Sequence, residues 1–287
     1  MQITNNYNLP KALIDAIEEN HTPIDKHYSV TTLLKPIREI LLNRRYYNEI
    51  KQDVSDMVWL IFGSAVHKII EEADKTGFAE YELEELILDD YYFTGICDLY
   101  DKENFCVQDW KTTSVWKIIH QEFEDWRKQG LMYAWLLRKK GHYVGKLKFN
   151  ALLKDWSPTD AKFKSDYPQH PIYIWEHDIT ESEMQEIESF ILTQFKALRV
   201  CEKLPDDMLP ICSLEERWNL GDKYAVYKTG RKTAVKICDT EEEAHQAITD
   251  LCGGIGEIQV RKGEDKKCEN YCLCKEYCSY WRSKNGN

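Results

Sequence analysis

The chain has 287 residues, a mass of 34.0 kDa, a net charge of −11 and a mean hydropathy of −0.57. Hydrophobic residues make up 43% and charged residues 30%, which excludes wholesale disorder. No apolar run approaches about 18 residues, so a membrane-spanning helix is excluded as well. The N-terminus lacks a basic start followed by an apolar block; the expected compartment is the cytoplasm.

Taken in chain order, residues 10–20 and 30–48 read as helices, with Pro36 interrupting the second and serving as a helix start. Residues 56–76 form an amphipathic helix with Ser55 as a candidate cap. Residues 85–112 are rich in β-branched and aromatic types and broken by a turn at Asp101–Asn104, so two or three antiparallel strands are expected. Residues 113–140 return to helix, ended by Gly141. Strands follow at 145–153 and 171–178. A helix over 180–200 opens with a capping box, Thr180 to Glu183. Then KYAVYK and TAVKIC form a hairpin with its turn at Thr229–Lys232. A helix with a second box, Thr240 to Glu243, and the strand GEIQVRKG complete a ββαβ unit over about 220–262. The expected division is 1–211 as the core with its N-terminal helices, 212–262 as a small ββαβ insert, and 263–287 as a cysteine-rich tail packing on the core.

Net acidity argues against a nucleic-acid binder, but the average hides an asymmetry. Residues 71–104 hold twelve acids and two bases, whereas residues 126–154 hold eight bases and no acid. An acidic segment beside a basic one suits a divalent metal in one place and phosphate in the other; the plainer reading is a solvated helix face. Within this stretch, Gly63-Ser-Ala-Val-His67 leads to Glu71, so His67 and Glu71 share a helix face. Gly95-Ile-Cys-Asp98 sits near a strand end. Asp109-Trp110-Lys111 places Asp109 and Lys111 on one side of a strand. Gln129-Gly-Leu-Met-Tyr133 again pairs two polar groups on a helix face.

In this order the four segments resemble the PD-(D/E)XK nuclease superfamily, and within it the RecB-like exonuclease branch. That branch has a GxxxH helix, a GxxD strand, a DxK strand and a QxxxY helix. Residues 28–34 (Tyr28-Ser-Val-Thr-Thr-Leu-Leu) resemble its opening, and the whole chain is similar to phage-encoded members. The resemblance implies an α/β fold with a mixed central sheet flanked by helices, as in restriction endonucleases. It implies Mg²⁺ or Mn²⁺ held by Asp98, Asp109 and the Trp110 backbone carbonyl, with His67 on the same or a second ion and Glu71 binding directly or through water. Lys111 would orient or deprotonate the attacking water. Gln129 and Tyr133 would hold the substrate phosphate or the DNA end. Arg127, Lys128, Arg138, Lys139 and Lys140 would line the DNA path, and Trp126 and Tyr133 would stack on a base.

Ten cysteines in a chain of this kind suggest metal ligands or buried thiols before disulfides. Cys268, Cys272, Cys274 and Cys278 crowd near the C-terminus, which favours a metal site. CRISPR-associated and AddB-type relatives carry a 4Fe-4S iron-sulfur cluster on one early cysteine and three late ones. This chain departs from that pattern: no cysteine precedes Cys97, and the equivalent region reads Leu34-Lys35-Pro36. Cys212 is the substitute fourth ligand, with Cys268, Cys272 and Cys278, and Cys274 as an alternate. Zn²⁺ suits the same thiolates.

The expected function is therefore a Mg²⁺-dependent exonuclease acting on DNA with free ends in phage recombination or repair, in the host cytoplasm. Its partner there would be a single-strand annealing recombinase, and no membrane is expected. The alternatives are a structure-selective endonuclease, or a non-catalytic DNA-binding protein on the same fold. Lys228, Arg231 and Lys232 of the ββαβ insert are candidates for a DNA or partner contact.

Overall fold

The computed structural model describes residues 1–18, 23–75 and 78–286; positions 19–20 and 76 of the expected helices lie outside them. Contacts divide the chain into two units, Met1–Leu204 and Pro205–Asn287.

The first unit begins with β1 (Gln2–Thr4), α1 (Lys11–Glu18), β2 (His27–Ser29), α2 (Val30–Leu33), α3 (Ile37–Arg45) and β3 (Lys51–Asp53). Pro36 stands at the N-cap of α3, where its missing N–H costs nothing. α4 (Val58–Ala73) follows a 3₁₀ turn at Val54–Met57. The cap of that turn is Asp53, not the expected Ser55: the Asp53 carboxylate accepts from both the Ser55 N–H and its hydroxyl. Next come β4 (Ala79–Leu88), β5 (Tyr91–Asp101) and β6 (Cys106–Thr113), the expected antiparallel strands, which begin earlier than residue 85. Residues 113–140 hold two helices instead of one, α5 (Val115–Ile119) and α6 (Glu124–Lys139), because Gln121 turns left-handed between them. β7 (Lys146–Leu153), α7 (Pro158–Phe163), β8 (Ile172–Asp178) and α8 (Glu181–Cys201) complete the unit. Thr180 and Glu183 close a full capping box on α8.

The central sheet has six strands in the order β2-β5-β6-β7-β8, with β4 paired to β5. It is mixed: β2 with β5 and β6 with β7 run parallel, while β4/β5, β5/β6 and β7/β8 are antiparallel. β4 occupies one edge of β5. The other edge is shared, with β2 opposite Tyr92–Thr94 and β6 opposite Leu99–Asp101. α6 lies against this sheet and is buried from Gln129 through Leu137. Its acids at the first turn and bases at the last complement the helix dipole. The α/β class and mixed sheet flanked by helices agree with the sequence.

The second unit holds β9 (Lys223–Lys228), β10 (Lys236–Cys238), α9 (Glu241–Cys252), β11 (Gly256–Arg261), α10 (Lys266–Asn270) and α11 (Ser279–Asn285). Its sheet runs β10-β9-β11, all antiparallel. Val226, Cys238, Ala244, Ala247 and Cys252 form its core. The loop between β9 and β10 is longer than the expected four-residue turn, since ladder pairing resumes only at Lys236. Thr240 caps α9, but the Glu243 carboxylate reaches the Asp239 N–H, so the second box is not reciprocal. Asp265 is buried and gathers Arg217, Asn219, Tyr280 and Lys284, tying residues 217–219 to the C-terminal helix.

Candidate functional site

The site begins where β5 and β6 part. Their last ladder pair on this side is Leu99 with Gln108; the same register, one step on, sets Asp98 beside Asp109. There the backbone ladder gives way to a side chain: the Trp110 N–H donates to Asp98 Oδ2 at 2.8 Å. That bond fixes the Asp98 carboxylate and satisfies a strand donor that has lost its ladder partner. Asp109 and Lys111, two apart on β6, face the same way, with Lys111 Nζ 2.7 Å from Asp109 Oδ2.

His67 enters from α4. Its Nε2 lies 3.2 Å from the Trp110 carbonyl, and its Nδ1 lies 3.4 Å from Glu80 Oε1 and 3.5 Å from Asp98 Oδ1. His67, Glu80 and Asp98 each offer a ligand atom, and these atoms all lie within 4.8 Å of one another. Glu80 is a member of this group that no motif in the sequence marks. It stands next to residues that pair with β5, between Ala79↔Leu99 and Tyr81↔Cys97, and so lies across from Asp98. Its backbone is left-handed (φ 46°), a conformation rare for a residue with a side chain. The sequence shows only one acid among several at 80, 82, 84 and 85.

The electrostatics favour a cation. Burial, then repulsion from Asp109, pushes Asp98 up to about 7. Burial also raises Asp109, against the pull of Lys111. The hydrogen bond to Glu80 raises His67 to about 9 despite desolvation. Asp109 Oδ1 is buried without a hydrogen-bond partner among the described residues. Oxygen donors with one imidazole, an orphaned carboxylate oxygen and buried like charges form a set that a divalent cation fits.

Other expected residues lie elsewhere around this point. Glu71 is exposed, on the lining of a cleft of about 500 Å³ that also includes Gly63, His67, Glu80, Trp110 and Lys111. Gln129 and Tyr133 point inward and are buried. Burial, then the Asp109 charge, raises the Tyr133 hydroxyl, and Gln129 bonds to it. α6 can bring Tyr133 this close because Gly95 has no side chain: a Cβ there would meet Tyr133 Cε1 at 2.9 Å. The stacking role for Trp126 and Tyr133 does not survive: both are buried, and Trp126 stacks on Phe149 with centroids 5.4 Å apart. The basic block is engaged within the protein. Arg127 bonds Glu124 and Glu183, Arg138 bonds Glu181, Lys139 bonds Glu188 and Lys140 bonds Glu85. The Lys128 ammonium sits 3.5 Å from the centroid of the Phe190 ring.

In the second unit the thiols of Cys212, Cys268, Cys272 and Cys278 are near neighbours. Burial pushes Cys212 up to about 12, and Glu216 and the other three thiols add to it. Burial likewise raises Cys268 to about 11, with Cys272 and Cys278 contributing. Cys274 Sγ lies 3.6 Å from Cys272 Sγ. None of the ten cysteines is in a disulfide, and Cys97, Cys106, Cys201, Cys238 and Cys252 are buried thiols.

Among the described residues no helix is long and apolar enough to cross a membrane. A model of the PD-(D/E)XK nuclease superfamily matches residues 15–279. No curated protein matches the chain. Among solved structures, SSO0001 is 18% identical with a TM-score of 0.45, covering 68% of this chain and 85% of its own. A phage-related exonuclease from Haemophilus somnus 129PT is 14% identical with a TM-score of 0.36, covering 57% and 81%. LHK-Exo, solved in complex with dAMP, is 10% identical with a TM-score of 0.34, covering 61% and 89%.

Proposed function

The chain belongs to the PD-(D/E)XK nuclease superfamily, and from that premise we propose that it is a divalent-metal-dependent deoxyribonuclease of the RecB-like branch, acting at DNA ends. The observation that carries this reading is the convergence of His67, Glu80 and Asp98 beside an orphaned Asp109 oxygen and Lys111. His67, Glu80, Asp98 and Asp109 would hold Mg²⁺ or Mn²⁺. Bound there, the cation would lower the pKa of a water and offset charge on the scissile phosphate.

The chain's own residues supply the rest. The Trp110 carbonyl accepts from His67 Nε2–H and turns Nδ1 toward the carboxylates, as an outer partner of a ligating histidine does. The Trp110 N–H holds Asp98 from the other side. One short strand segment thus orients two ligands. Lys111 would place the attacking water and neutralise developing charge on the phosphate. Tyr133 and Gln129, buried and bonded to each other, would shape the pocket around the carboxylates instead of meeting the substrate. Glu71, on the cleft lining, would act through water. Arg127, Lys128, Arg138, Lys139 and Lys140 can serve as a DNA track only where phosphate displaces their present partners. Because an imidazole belongs to the set, Mn²⁺ should support activity at least as well as Mg²⁺.

Within the second unit we propose a structural 4Fe-4S cluster or Zn²⁺ on Cys212, Cys268, Cys272 and Cys278, with Cys274 as the alternate. Residues 212–262 and 263–287 would be its two functional parts. A role in recombination beside a strand-annealing protein, in the host cytoplasm, completes the reading.

The test is digestion of end-labelled linear duplex beside closed circular DNA, with Mg²⁺ or Mn²⁺. Loss of label from the linear substrate alone, reduced about 100-fold or more by Lys111→Ala, is the expected result. Cleavage of the circle would make the protein an endonuclease. Metal-dependent binding without cleavage would make it a DNA-binding protein on a nuclease fold.

A further inference from the structure

α4 carries His67 but buries none of its residues. Its first turns expose Val58, Trp59, Leu60 and Phe62 to solvent, Trp59 by 58%. A tryptophan left this open is unusual, and such patches mark binding surfaces. Trp59 and Leu60 line the same cleft as His67, Lys68 and Lys111. The indole is braced: the Phe62 ring meets it edge-on, with centroids 6.4 Å apart and planes at 76°. The Lys154 ammonium stands 4.6 Å from its centroid. Lys154 has no carboxylate partner among the described residues. An exposed aromatic ring with a cation over one face, and no carboxylate on that cation among the described residues, is the chemistry that receives a nucleotide: base on the face left open, phosphate on the ammonium.

We propose that Trp59, with Lys154, is a stacking subsite for one nucleobase of the DNA strand lying in the cleft. This rests on the nuclease reading and deepens it. Trp59 precedes His67 by eight residues, about 12 Å along the helix axis. At about 3.4 Å per nucleotide, the stacked base lies roughly three to four nucleotides from the scissile phosphate. Stacking is indifferent to base identity, since every base has a π face. The subsite therefore gives grip and register, not sequence choice.

The test is fluorescence anisotropy in EDTA, where binding is read without cleavage, using single-stranded oligonucleotides with an abasic position moved one step at a time. Trp59→Ala should weaken binding to the intact strand about 5- to 150-fold, whereas Trp59→Phe should keep most of the affinity. In the wild type one abasic position should cost the same factor, and in Trp59→Ala that position should cost nothing more. The exposed position predicts an unchanged melting temperature for Trp59→Ala. If Trp59→Ala binds intact and abasic strands as the wild type does, or if the two effects multiply independently, the subsite is overturned. A Trp59→Ala protein that sediments as a smaller species with unchanged DNA affinity would overturn it too, and assign the face to a second copy of the chain. Linear DNA left uncut by the wild type, with the abasic loss present in the wild type and absent in Trp59→Ala, would sink the nuclease reading and leave the subsite standing.

Discussion

Two glycines in the motifs have opposite packing, and replacing each with alanine should move stability in opposite directions. A Cβ on Gly95 would lie 2.9 Å from Tyr133 Cε1, 3.1 Å from Val30 Cγ2 and 3.2 Å from Leu136 Cδ1. Ordinary carbon contacts lie at about 3.5–4.0 Å, so α6 and α2 must yield or the strand must shift. Overpacking of this kind costs about 1–3 kcal/mol, partly offset by about 0.5–1 kcal/mol for removing a flexible glycine from a strand. The net expectation for Gly95→Ala is a loss of about 1–2 kcal/mol. At Gly63 the nearest atom, Thr112 Oγ1, is 4.0 Å away, and the residue sits inside α4. Gly63→Ala should therefore stabilise by about 1 kcal/mol through helix propensity. Urea denaturation followed by circular dichroism, in EDTA so that metal linkage does not enter, gives both values. Gly95→Ala should also slow cleavage, because the added Cβ pushes on Tyr133, whose hydroxyl lies within electrostatic reach of Asp109 and Asp98. A neutral Gly95→Ala, or a Gly63→Ala protein destabilised to the same degree, would refute the packing account.

Other tests address electrostatics and the second unit. Burial opposes ionisation of Glu183, but bonds from Thr180, Arg127 and His177 outweigh it and hold the carboxyl at about 2. A lowered carboxyl pKa stabilises fully above the unfolded value near 4.5 and is lost as pH falls toward 2. Glu183→Gln should thus cost about 2 kcal/mol at pH 7 and little near pH 2, read by melting across that window. Replacing Cys272 and Cys278 together with serine should remove bound iron or zinc, measured by elemental analysis, and lower the melting temperature; wild-type melting would rule out a structural metal there. Lys228, Arg231 and Lys232 line a pocket of about 450 Å³ and have no carboxylate partner among the described residues. If they meet DNA, changing all three to alanine should reduce the slope of log affinity against log salt by about 2–3, and an unchanged slope would exclude them.

What each element offers along its own length follows from its local residue pattern. Two-residue spacing put Asp109 and Lys111 on one side of a strand, and the structure brings their charges together. The Thr180–Glu183 box marked the start of α8, and Pro36 the start of α3. These features were legible because a local period or cap acts within a few residues. Which elements meet is set by the packing of the folded chain. Glu80 joins His67 and Asp98 through the pairing of β4 with β5, and no spacing in the chain separates it from the acids around it. Gln129 and Tyr133 share a helix face as read, but that face looks into the core because α6 packs over Gly95. The bases of residues 127–140 read as a free positive block, yet partners at Glu85, Glu181, Glu183 and Glu188 engage four of them. Pairing register and charge neutralisation are long-range facts, fixed by packing between segments that the chain keeps far apart.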